Sequence, residues 1–205
     1  MSAHPNSGTF LPPAVRLAKI VGTVGSGALT GFYYTHSRHT IPSLLASNAP
    51  AEKLVKAFKH IHHASHTPTL ATIIASSSSF AYVAYYLFYY PPNHAGVATT
   101  TFASSSFFPS TSIDYPLGDE WALYGASALL VALVVPYTKS FMNAVQKSLL
   151  GAAESAETTE RRKLGVNVVE EKKVREDFEE WKWRSTIRAG LAGAATAIAV
   201  VGLVA

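Results

Sequence analysis

The sequence predicts an all-α protein, a four-helix transmembrane bundle with a cytosolic helical extension between helices three and four. Three observations carry that prediction. Hydrophobic residues make up 48% of the 205-residue chain and charged ones only 15%, an unusual balance for a surface that faces water. Most of the charge lies in two blocks, residues 51–66 and 139–188. Between and around these blocks, four uncharged or nearly uncharged stretches approach the roughly 20 apolar residues that a helix needs to cross a hydrocarbon core.

The first stretch, residues 14–34, carries Arg16 and Lys19 in its opening turns, which must snorkel or pair. Its small residues Gly22, Gly25, Gly27 and Gly31 allow a neighbouring helix to approach closely. The second, residues 67–90, is the clearest: it has no charge and ends in Tyr85, Tyr86, Tyr89 and Tyr90, an aromatic belt of the interfacial kind. The third runs from Trp121 to Val135 with an extension to Phe141, and the fourth covers residues 186–205 with Gly190, Gly193 and Ala194 for close packing. A soluble bundle would need polar helix faces, and segments two to four lack them. The chain therefore reads as one membrane domain, residues 1–205.

The connections set an orientation. Arg38, Lys53, Lys56 and Lys59 lie between segments one and two; ten Lys and Arg residues, Lys139 to Arg184, lie between three and four. The 91–120 connection and both termini hold none. By the positive-inside tendency, residues 35–66 and 142–185 are cytosolic, while the termini and the Ser/Thr-rich 91–120 loop lie in a lumen or outside. An endomembrane, endoplasmic reticulum or vesicle, fits this pattern. The N-terminus is polar, lacks a basic leader and does not read as a secretory signal peptide. A pI near 9.2 points to anionic lipid beside basic loops, with no nucleic acid partner. Zero cysteines exclude disulfides, thiolate catalysis and cysteine-ligated metal. Residues 153–183 alternate acid and base and are expected to form a solvated, partly helical arm. Homo-oligomerisation stays open.

Histidine is where the chemistry concentrates. Six of the eight fall in H-S-R-H, residues 36–39, and H-I-H-H-A-S-H, residues 60–66, at the cytosolic ends of segments one and two. After Asn48 a capped helix with Pro50 in its first turn is expected to run into segment two. Its apolar stripe Leu54, Val55, Phe58 and Ile61 continues to His62 and His66, whereas His60 and His63 share a face with Lys56 and Lys59. Three readings compete. His62 and His66, four apart, have the spacing of two metal ligands on one helical face, although the repeated H-x-x-H-H boxes of membrane di-iron desaturases are not matched. An imidazole titrating near neutrality can act as a general base. Or the histidines merely decorate an interfacial surface.

The ends of segments three and four add V-V-P-Y-T-K-S-F-M and W-K-W-R-S-T-I-R. With them the chain resembles the anthrone oxygenase-like family of small four-helix membrane proteins. The likeness rests on Gly27, Gly31 and Pro42 around the end of segment one and Pro68 at the start of two. It also rests on Pro136, Tyr137, Thr138, Phe141, Met142 and Leu149 after three, and Trp181 and Arg188 leading into four. The chain departs where the family has a Thr-Asn pair, here Val145 and Gln146, and an Asn, here Ser185.

The resemblance implies a cofactor-independent monooxygenase that oxidises an aromatic, polyketide-like substrate, anthrone to anthraquinone, with O2. The acidic CH2 of an anthrone gives an electron-rich enolate that reacts with O2 directly, so the protein need supply only a base, an enolate-stabilising group and an apolar slot. The expected catalytic residues are His62, His66 and Arg188. Tyr137 and Thr138 are expected as hydrogen-bond donors to the substrate, Met142 as lining and Trp181 as a stacking surface, with no metal. The alternative is a non-catalytic membrane scaffold or assembly subunit that retains the fold.

Overall fold

A computed structural model describes residues 11–47, 49–90, 120–161 and 170–204. Asn48, most of the 91–120 loop and residues 162–169 of the arm lie outside the described residues. All regular structure among those described is helical: α1 (Pro13–Thr35), α2 (Ile41–Ala46), α3 (Ala51–Tyr89), α4 (Glu120–Tyr137), α5 (Asn143–Arg161) and α6 (Glu171–Val204). Short π-helical turns join α1 to α2 (His36–Thr40) and α4 to α5 (Thr138–Met142). Helices α1, α3, α4 and α6 pack in a ring, α1 and α4 each against both α3 and α6.

Three helical stretches are long and apolar enough to cross a membrane: Ala51–Tyr89, Glu120–Thr158 and Glu171–Val204. On these the chain is a membrane protein. α1, with Arg16 and Lys19 beside many Gly, Ser and Thr residues, does not reach the same apolarity. Its buried stripe, Val15, Lys19, Gly22, Ser26, Leu29 and Tyr33, is spaced by fours and threes, the spacing of a helix seam. Close approach is built into that seam. A Cβ on Gly22 would stand 2.6 Å from the Phe80 ring, and one on Gly25 would stand 2.1 Å from Ser76 Oγ. Thr196 Oγ1 donates to Ser26 Oγ at 2.9 Å, and Ser127 Oγ donates to Ala195 O at 3.1 Å, the polar ties that helices use where water is absent. Lys19 pairs with Glu120 at 3.7 Å and lies over the Tyr124 ring.

Two cores are stacked along the helices. One, among α1, α3, α4 and α6, is built on Phe80, Val83, Tyr124 and Val131. The second joins Ile41, Leu54, Val55 and Phe58 to Met142, Leu149 and Ala153 of the α4–α5 rod and to Val174, Phe178 and Trp181 of α6. This second core adds a buried stripe to the helical arm, whose other described residues are mostly exposed. Leu149, Ala153 and Ala156, like Val174, Phe178 and Trp181, are spaced i, i+4, i+7 and give each strongly charged helix one apolar stripe to bury.

Prolines mark where the helices change pitch. Pro42, lacking an N–H, follows the first π turn, in which Ile41 N–H reaches back to His36 O; Pro136 precedes the second. Pro68, expected at a helix start, sits inside the 39-residue α3. Pro50 stands at the N-cap of α3, its carbonyl accepting from Lys53 N and Leu54 N.

Candidate functional site

The two cores leave a space between them. It is a cavity of about 350 Å³, with Ile41, Phe58 and Trp181 from the second core on one side and Tyr33, Ile73 and Val135 from the first on the other. The size is that of a small-molecule site, and the balance of apolar wall with a few polar groups is typical of one. Every cavity-lining residue that ionises is basic or aromatic: His36, His62, His66, Lys139, Arg188 and Tyr33, with no Asp or Glu among them.

Arg188 is the centre of charge. It is 6% exposed, and among the described residues no carboxylate lies within ion-pair distance. Its guanidinium lies 4.5 Å from the centre of the Tyr33 ring and 5.5 Å from that of Trp181, and cation–π attraction partly replaces the missing anion. Nη2 donates to Ser185 Oγ at 2.7 Å. Buried side-chain atoms without a hydrogen-bond partner, among the described residues, include Arg188 Nε, Trp181 Nε1 and His36 Nδ1. All three belong to residues that line this one cavity. Unpaired polar atoms are costly in a buried setting, and the side chains that carry these three all border the cavity.

α3 brings the histidines. His62 is half-buried, with its ring stacked on Phe58 at 5.8 Å and 5.7 Å from that of His66. Residue 62 precedes the apolar 67–90 segment, and there burial first, then His66, His63 and Arg188, hold the His62 imidazole below its ordinary value. A neutral imidazole beside a buried cation can accept a proton. His66 also borders the cavity but is exposed, as are His60 and His63, which do not line it. Among the described residues, no three His, Asp or Glu side chains meet in an arrangement able to hold a metal ion.

The remaining sequence candidates divide. Trp181 and Thr138 line the cavity; Tyr137 and Met142 do not. Thr138 Oγ1 donates to Val134 O at 2.7 Å, so its oxygen faces an occupant as an acceptor rather than as the donor expected. Met142 is wholly buried in the second core, and Tyr137 stacks on Phe141 at 5.2 Å. The π turn, which adds a residue and rotates the chain that follows, accounts for the placement of Met142 at its end; Tyr137 precedes the turn, as the last residue of α4. Ser185 and Gln146, two of the departures noted in the sequence, hold Arg188 and line the cavity respectively.

Of the cavity residues that ionise, the sequence reading did not single out Tyr33, Lys139 and His36, the last 9% exposed. For His36 the signal was present. The seam of α1, extended three residues beyond Tyr33, lands on it. Burial, then Arg188, keep its imidazole below the ordinary value.

In comparison with known proteins, a family model described as anthrone oxygenase matches residues 58–198. No curated protein and no solved structure matches.

Proposed function

Since that match covers more than half of its residues, the chain belongs to the anthrone oxygenase family, and from that premise we propose that it converts an anthrone and O2 to an anthraquinone and water without a cofactor. One observation carries the reading: the convergence on a single cavity of a buried guanidinium with no carboxylate partner among the described residues, the half-buried His62 imidazole and Trp181, whose N–H has no hydrogen-bond partner among them. A scaffold gains nothing from such an arrangement, which costs stability at each unpaired atom. That cost favours catalysis over the scaffold alternative.

In this mechanism a planar anthrone lies against Trp181 with its carbonyl oxygen toward Arg188. His62 removes a proton from the CH2 carbon, and the charge delocalises onto the oxygen that Arg188 stabilises. The enolate reacts with O2 at carbon, and loss of water gives the quinone. His66, at the exposed edge of the cavity, passes protons between His62 and solvent. The apolar walls exclude water from the carbanion. In the proposed topology α1 is the fourth span, residues 35–66 and 142–185 face the cytosol of an endomembrane, and the cavity lies at that boundary, where an apolar aromatic partitions.

The test is turnover under 18O2. The expected result is a quinone with one labelled carbonyl, one O2 consumed per quinone, and a rate well above the spontaneous oxidation. Oxidation no faster than in protein-free detergent would reject the activity.

A further inference from the structure

His36 is the buried imidazole that this mechanism leaves unused. It begins the π turn after α1, lines the cavity, and keeps its buried Nδ1 without a hydrogen-bond partner among the described residues. π turns recur at functional sites because they redirect a side chain that a regular helix would place elsewhere. Its ring is the first of a continuous arc. The steps are His36 to Trp181 at 5.9 Å, Trp181 to Phe58 at 5.5 Å, and Phe58 to His62 at 5.8 Å between centres. The two imidazoles thus stand at opposite ends of one aromatic wall, carried by different helices.

We propose, resting on the anthrone reading, that His36 is a second catalytic base, which takes the second of the two protons that the reacting carbon must lose. The two hydrogens of a CH2 held in a flat ring system project from opposite faces. His62 removes one, and its electron pair enters the enolate. Carbon then forms a bond to O2, so that carbon is oxidised and O2 is reduced to the peroxide level. Protonated His62 returns its proton to the distal oxygen and gives a hydroperoxide. With O2 added on the side His62 vacated, the remaining hydrogen points away from His62. His36 takes that proton, the C–H pair becomes the C=O bond, the O–O bond breaks, and the departing hydroxide collects the proton from His36 as water. The sum is CH2 plus O2 to C=O plus H2O, with both imidazoles neutral again and no further reactant.

The two half-reactions separate experimentally. Without O2, an anthrone in D2O exchanges its CH2 hydrogens at a rate set by the first base alone. H36N and H36F, the one polar and the other an aromatic filler, should keep this exchange within about twofold while aerobic turnover falls roughly 10²-fold. A hydroperoxide should accumulate, read as the alcohol after phosphine quenching. Thermal midpoints in detergent identify which variant keeps the fold, and the filler protects the packing against Phe32 if the polar one does not. Turnover at the native rate in a folded variant, or loss of exchange together with turnover, overturns the second-base assignment and leaves the oxygenase reading standing. A native protein that neither exchanges nor oxidises the anthrone removes both.

Discussion

A guanidinium confined between Tyr33 and Trp181, with one hydrogen bond to Ser185 and no carboxylate in reach among the described residues, sets the electrostatics of everything near it. An anion is attracted and a second cation is penalised; burial first, then His66 and His63, and then Arg188 keep the imidazole of His62 neutral to lower pH than a free one. That fixes the sign for catalysis. A base works when deprotonated, and the acidic limb of kcat/KM should therefore fall below the ordinary imidazole value of about 6.5. Arg188→Gln removes the smallest of the causes that lower the pKa of His62 and should move that limb slightly upward while reducing turnover; a limb that moves downward assigns it to another group. His62→Ala should lower turnover by roughly 10²-fold or more, with His60→Ala, on the exposed face, near native. Because no step in this chemistry calls on a metal, the purified protein should turn over unchanged in chelator. One bound metal per chain, with activity lost to chelator and restored by metal, would favour the ligand reading of His62 and His66.

At the scale of the helix, packing distance decides what a residue can be. Gly22 faces the Phe80 ring across the α1–α3 seam, whereas nothing lies within 4 Å of a Cβ on Gly31. Gly22→Val should destabilise the bundle by about 1–3 kcal/mol through overpacking and lower the thermal midpoint in detergent, while Gly31→Ala should not. Equal effects would show that glycine acts through the backbone and not through the seam. The same seam shows how far a sequence can be read. Apolar length made α1, α3, α4 and α6 legible, and the stripe through Phe58 points to His62, which borders the cavity. The second core was obscured because its stripes, three residues each, lie beneath a dense alternation of Glu, Lys and Arg. Met142 falls in the second core and not at the cavity for another reason: Pro136 announces a break in the hydrogen-bond ladder but not whether the chain kinks or widens into a π turn, and that choice decides which way the residues after Tyr137 face.

At the scale of the whole molecule, the two cores call for different surroundings. The outer surface of the first is apolar, with Leu17, Val24, Ile74, Leu129 and Val201 exposed, as hydrocarbon requires. The second carries Lys172–Glu176, Arg175–Glu171, Arg184–Glu180 and Lys59–Glu157 pairs on its outside, which only water or headgroups accommodate. The cavity lies between them, so the side of the membrane that holds the second core also decides where a substrate arrives. Fourteen of the seventeen Lys and Arg residues fall in the two connections on that side, and on the positive-inside tendency we propose that this side is cytosolic. The sequence contains no N-x-S/T sequon, which makes glycosylation a clean reporter. A sequon introduced near Ser105 should be glycosylated in microsomes, and one near Gly165, between α5 and α6, should not. The reverse pattern would turn the second core and the cavity mouth toward the lumen, and the substrate would then have to be delivered from that side.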